Sequence, residues 1–149
     1  MKKTNEKLKV AIVAARFNEH ITKKLVQGAQ LEFLKLGIKK ENISTFWVPG
    51  SWEIPLAAKK VINTKRYSGL VAIGVILKGE TEHDRHIADS CVRELSKMIV
   101  RHEIPIGNSI LACKTESDAL QRAGGKEGNR GIQAARAVFE MISSLEGRR

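Results

Sequence analysis

The sequence predicts one α/β domain spanning residues 1–149, a three-layer α/β/α sandwich around a four-stranded parallel sheet of flavodoxin-like type. Three observations carry this. Short continuous apolar runs recur along the chain, as expected of parallel strands covered on both faces. Stretches of helical periodicity alternate with them, the pattern of crossover-linked parallel strands. No repeat, low-complexity linker or break in composition divides the 149 residues.

Hydrophobic content of 42% and charged content of 28% are ordinary for a globular protein with a substantial core. The net charge of +10 suits nucleic acid, a membrane surface or small anionic ligands. The basic residues are dispersed over several predicted helices, aromatic residues make up only 5%, and no nucleic-acid motif occurs. Small phosphorylated ligands are therefore favoured over nucleic acid. Cys91 falls on the apolar face of a predicted helix and Cys113 just past a strand end. Two such cysteines make no disulfide framework, and a reducing, cytoplasmic setting is expected. Met1-Lys2-Lys3 resembles the start of a signal peptide, but the apolar stretch from Val10 to Ala15 is too short and runs into Arg16. No segment approaches the roughly 20 apolar residues that span a bilayer.

Leu8 to Ala15 reads as the first buried strand, and Arg16 to His20 as the polar loop after it. Loops at the carboxyl ends of parallel strands are where open α/β sheets bind ligands. Phe17 in that loop has two local readings, stacking on a planar ring or folding back on the core, and packing is the commoner fate. A helix follows from Ile21 to Leu36, with Leu25, Ala29, Phe33 and Leu36 inward and Gly37 placed to end it. Ile43 to Val48 is the second strand. Pro49-Gly50 turns the chain, Ser51 is placed to cap a short helix, and Pro55 is tolerable only in its first turn. Glu53 either anchors an N–H-rich heterocycle or complements the helix dipole.

The run from Leu70 to Leu77 is the most apolar in the chain and belongs mid-sheet. Lys78-Gly79-Glu80 turns the chain. Thr81 through Asp84 then matches a capping box, with Thr81 as N-cap of a helix that runs to about Arg101 through Ile87, Cys91, Leu95 and Met98. A helix start at the carboxyl end of a parallel strand offers unpaired N–H groups and partial positive charge, so it can hold a phosphate. His83 lies in that first turn. It is either a proton-transfer group acting near neutral pH or a solvated helix residue, the commoner case. His83 and His86, three apart with Asp84 between them, have no third ligand at a recognised zinc spacing, and no metal is expected.

Ile104 to Ala112 gives the fourth strand, where Gly107-Asn108-Ser109 suggests a bulge or a side chain facing a site or interface. Thr115 to Asp118 forms a second capping box, opening a short helix. The glycine-rich basic stretch Ala123 to Gly131 lacks P-loop spacing and reads as a connection between helices. Arg122 and Lys126, four apart, would both approach one phosphate if the helix extended that far; otherwise they are solvated charges on a flexible link. A final amphipathic helix runs from about Ile132 to Leu145.

Four segments together resemble the lumazine synthase family of riboflavin biosynthesis: Ala15-Arg-Phe-Asn18, Val48-Pro-Gly-Ser-Trp-Glu-Ile-Pro55, Gly74 to His83, and Arg122 to Gly131. Their order and spacing match from about Lys9 to Leu145. The resemblance implies condensation of 5-amino-6-(D-ribitylamino)uracil with 3,4-dihydroxy-2-butanone 4-phosphate to 6,7-dimethyl-8-ribityllumazine, with phosphate and water released and no cofactor or metal. It implies that Phe17 lies against the pyrimidine, that Ser51, Trp52 and Glu53 bind the ribityl chain and nearby polar groups, and that the backbone of Val75, Ile76 and Leu77 lines the uracil pocket. Glu80 and Thr81, with Arg122 and Lys126, would hold the phosphate, and His83 would transfer protons. Asn108 stands where many members carry Phe facing the heterocycle across a subunit boundary, and it is placed to hydrogen-bond the ring instead. The resemblance further implies a homo-oligomer built from pentamers. A non-catalytic riboflavin or lumazine binder on the same scaffold is the main rival.

Overall fold

The structure is a computed structural model that describes residues 7–79 and 83–146. Strand β1 (Val10–Ala15) leads to helix α1 (Glu19–Lys35), β2 (Ile43–Val48), α2 (Ile54–Asn63), β3 (Gly69–Leu77), α3 (His83–His102), β4 (Ile106–Cys113), α4 (Glu116–Gln121), β5 (Ala123–Gly125), β6 (Gly128–Asn129) and α5 (Arg130–Glu146). Four parallel strands form one sheet in the order β2-β1-β3-β4. Helices cover both faces, giving the expected three layers.

The two central strands, β1 and β3, are buried on both sides, whereas the edge strands β2 and β4 are buried only in part. Every residue of β1 is fully buried. Its Val10, Ile12 and Ala14 pack with Leu25, Ala29 and Phe33 of α1 and Val138 of α5. The alternate residues Ala11, Val13 and Ala15 face Ile54, Ala58 and Val61 of α2 and Leu95 of α3. Both faces of a strand thus end in core, which is why its sequence reads as a continuous run rather than an alternation.

Helix α1 stops at Gly37, whose φ of 97° lets the amide of Ile38 donate to the Phe33 carbonyl (3.0 Å) and its own amide to Leu34 (3.0 Å). This is a Schellman end, with Ile38 buried beside it. Thr115 caps α4 as its sequence proposed, accepting from the Asp118 amide at 3.1 Å.

Several expectations are corrected. Residues 107–109 make no bulge: β4 pairs with β3 in unbroken register from Ile106 against Leu70 to Cys113 against Leu77. Gly107 is needed because a Cβ there would meet the Ala134 carbonyl of α5 at 2.7 Å. The glycine-rich stretch is no simple link either. Ala123–Gly125 and Gly128–Asn129 pair antiparallel as a small hairpin; the positive φ of Gly128 (80°) falls where its turn closes, and that of Gly124 (114°) at the irregularity between Ala123 and Gly125. Because α4 ends at Gln121, Lys126 stands on the hairpin and not one helical turn beyond Arg122.

Candidate active site

Strand order reverses between β1 and β3: from β1 the chain moves outward to β2, then crosses back to β3 on the other side. In open parallel sheets that reversal leaves a crevice at the carboxyl edge, because the loops on either side depart in opposite directions. A cleft of about 190 Å³ lies there, lined by Phe17, Ser51, Trp52, Val75, Ile76 and Leu77, with Gly50, Asp84 and Ile87. Six residues singled out in the sequence thus meet at one place.

The Phe17 loop is held by extensions of the sheet's own ladder. The Arg16 amide donates to the Val48 carbonyl (2.8 Å) and the Phe17 amide to Pro49 (3.0 Å), continuing β1 against β2 past its last pair. On the other side β1 pairs with β3 only as far as Ala14 against Ile73. The side-chain amide of Asn18 takes over, donating to the Val75 carbonyl at 2.8 Å. Asn18 itself adopts the left-handed conformation (φ 61°, ψ 42°), tolerated by Asn, and its carbonyl accepts from Ile21 and Thr22 to start α1. Phe17 is consequently pinned at both flanks with its ring 71% exposed, so it does not fold back on the core.

Ser51–Glu53 form one turn of 3-10 helix leading directly into α2. Ser51 is not the cap expected of it. It is buried beneath the cleft, against Gly74 of β3. A Cβ on Gly74 would collide with the Ser51 hydroxyl and lie 3.1 Å from Ile54 Cδ1, so the glycine in mid-strand lets this turn settle onto the sheet. Trp52 is left 62% exposed at the cleft wall, and Glu53 is partly exposed beside it. Pro55 falls in the first turn of α2, where its missing N–H costs nothing.

His83 is the first described residue of α3 and is exposed, next in sequence to Asp84, which lines the cleft. Asp84 Oδ2 accepts from the Gly79 amide, tying the exit of β3 to the start of the helix. Glu80 and Thr81, expected at the phosphate, lie outside the described residues. Sequence had cast Asp84 as a capping carboxylate and weighed it beside His83 and His86 for a metal, not as a wall of the cleft. Its helical spacing to Ile87 is the signal that both could share one wall.

The cleft takes nothing from β4, α4 or the hairpin, where the remaining expected residues stand. Asn108 lies exposed on β4, in register with Ala72. That is three residues, or about 10 Å, short of the level of Val75 along the sheet. Its Oδ1 accepts from the Ile110 amide at 3.0 Å. Arg122 ends α4 and donates to the Asp118 carbonyl at 2.9 Å, while the Lys126 amide donates to Gln121 Oε1 at 2.9 Å. The hairpin that holds Lys126 is anchored by Asn129, which donates to the Lys24 carbonyl (3.2 Å) and accepts from Gly131 (2.8 Å) and Ile132 (3.1 Å) at the start of α5.

Among the described residues, no group of three or more His, Cys, Asp or Glu is set to hold a metal, and no helix is long and apolar enough to cross a membrane. Both cysteines are free. Burial pushes the Cys91 thiol up to about 11, with the Glu53 carboxylate adding to the effect.

The fold and the cleft define an α/β protein with an aromatic-walled cleft at the strand-order reversal of its parallel sheet. The sequence model of 6,7-dimethyl-8-ribityllumazine synthase matches residues 7–146. The enzyme of that name from Buchnera aphidicola subsp. Schizaphis graminum is 41% identical over 138 residues, covering 92% of this chain and 87% of that protein. The one from Campylobacter jejuni is 38% identical over 135 residues, 91% and 88% of the two chains. This chain belongs to the 6,7-dimethyl-8-ribityllumazine synthase family, transferases of riboflavin biosynthesis.

Proposed function

We propose that the cleft between β1 and β3 is where this chain condenses 5-amino-6-(D-ribitylamino)uracil with 3,4-dihydroxy-2-butanone 4-phosphate to 6,7-dimethyl-8-ribityllumazine, releasing phosphate and water. The observation that carries the assignment is the convergence of Phe17, Ser51, Trp52 and Val75 to Leu77 on one cleft. The pyrimidine lies against the exposed face of Phe17. Beyond Ile73 the main chain of β3 is no longer paired with β1, and apart from the Val75 carbonyl, which accepts from Asn18, its groups on that side suit the alternating donors and acceptors of a uracil. Trp52 and Glu53 stand where a hydroxylated ribityl chain needs an apolar flank and an acceptor.

Amine addition to the ketone, loss of water, elimination of phosphate and ring closure each move a proton. His83, in the first described turn of α3 and next to Asp84 of the cleft wall, carries the imidazole that serves as the general acid and base. Glu80 and Thr81 at the helix start, with Arg122 and Lys126, bind the phosphate.

Asn108, Arg122 and Lys126 are absent from this chain's own cleft, and Phe17, Trp52 and Leu56 are 71%, 62% and 68% exposed. Both facts support an oligomer in which a neighbouring copy lays its β4 face and hairpin against the cleft, with pentamers as the unit. The free cysteines support a cytoplasmic setting.

Purified protein mixed with both substrates is the test, followed through the absorbance and fluorescence of the lumazine product. Turnover well above the spontaneous reaction is expected. His83→Ala should slow it by up to the roughly 10²- to 10⁴-fold that acid-base help supplies, yet stay above the spontaneous rate, since holding two reactive substrates together is itself catalytic. Arg122→Ala should chiefly raise KM for the butanone phosphate. A folded oligomer with no rate above the spontaneous one would overturn the assignment in favour of a flavin-binding relative.

A further inference from the structure

Helix α3 and the Ser51–Glu53 turn both line the cleft, and one hydrogen bond joins them behind it. Cys91 sits on α3 one helical turn beyond Ile87, which lines the cleft, and is 1% exposed. Its Sγ lies 2.9 Å from the Ser51 carbonyl, forty residues away in sequence. That carbonyl already accepts from the Ile54 amide, which closes the 3-10 turn. It therefore receives a second donor from the far side, and the thiol of Cys91 is the group that supplies it.

We infer that Cys91 is a positioning residue for the uracil substrate, its S–H fixing the turn that presents Trp52 and Glu53 relative to the helix that begins at His83. Two neighbouring features single out this contact. Gly74 opens the space that lets Ser51 lie on β3, so the turn is seated from below by the sheet and from the side by Cys91. Burial and the nearby Glu53 carboxylate keep the thiol protonated well above neutral pH, so it is a donor throughout the working range. A thiolate could only accept, and would repel the carbonyl.

The inference rests on the assignment of Trp52 and Glu53 to the ribitylaminouracil side of the cleft. Its test compares Cys91→Ala, Cys91→Val and Cys91→Ser with the unaltered chain as full-length oligomers, recording KM for each substrate, kcat and the melting temperature. Serine restores a donor at the same place; valine fills the volume without one. The expected result is a KM for the uracil substrate raised about three- to tenfold in the alanine and valine variants, as loss of one hydrogen bond implies. KM for the butanone phosphate stays within twofold, and serine returns the uracil KM toward its original value. If alanine does not fold, the serine and valine pair decides. Equal KM values for the uracil substrate in valine, serine and unaltered chains would overturn the inference, as would parallel changes in both KM values, which mark a general loss of packing. Absence of turnover in the unaltered chain would instead strike at the proposed function itself.

Discussion

Phe17 separates what local sequence can decide from what it cannot. By residue type alone an aromatic in a short loop packs inward, yet here it is 71% exposed, because ladder bonds from Arg16, Phe17 and Asn18 fix the backbone on both sides. Those bonds reach β2 and β3, partners that no local pattern reveals. Since the ring buries little within the chain, Phe17→Ala should alter stability by no more than about 0.5 kcal/mol. The same change should raise KM for the uracil substrate severalfold, and thermal melting run beside substrate titration would show the two effects separating. A second single-residue outcome concerns His102 at the end of α3. Its Nε2 lies 2.8 Å from Lys59 Nζ, and desolvation, with Lys59, Arg101 and Lys65 nearby, holds its pKa below the usual value. The fold favours the neutral ring, so this contribution to stability is complete above about pH 6.5 and fades as pH falls through the lowered pKa. His102→Gln should therefore lose less melting temperature than the unaltered chain between pH 7.5 and pH 5; matching curves would sink the idea.

Elements buried on both faces were legible in the sequence to within a few residues, because a continuous apolar run admits few alternatives once helical periodicity follows it. The second strand, Ile43–Val48, agrees at both ends although it lies at the sheet edge and is only partly buried. The fourth begins at Ile106 and not at Ile104, since Pro105 cannot donate to the ladder and only its carbonyl joins in, accepting from Leu70. What escaped was the hairpin after α4. Glycines read locally as freedom, whereas Gly131 here has a task that depends on α1. Gly131 packs so tightly that a Cβ would overlap the Leu25 carbonyl, and one on Gly28 would come within 2.5 Å of Asn129. Gly131→Ala should cost about 1 to 3 kcal/mol, as overpacking at backbone does, and chemical denaturation would measure it. Thr115→Ala should cost about 1 kcal/mol through its lost cap, a smaller effect on the element that carries Arg122.

At the scale of the whole molecule, the sheet ends on an open strand. Strand β4 has β3 on one side only, and Asn108 turns its own side chain onto the Ile110 amide instead of leaving that donor bare. Val92 and Val100 on the neighbouring α3 are 41% and 79% exposed. The proposed assembly predicts that charging both, as Val92→Glu with Val100→Glu, yields smaller species in sedimentation velocity. Activity should fall with them, because Arg122 and Lys126 would no longer reach a neighbour's cleft. Full activity in an isolated monomer would refute the shared site. The sequence could show which residues belong to the family pattern, but not that a single chain leaves them on separate surfaces.

Gly74 carries a further consequence. Glycine within a strand costs about 1 kcal/mol against alanine, so mutation toward a sturdier β3 has an obvious route at this position. That route is closed by a single missing methyl group, the space into which the Ser51 hydroxyl fits. The depth of the cleft and the rigidity of the central strand are set by the same atom's absence, so in this fold a gain in one comes as a loss in the other.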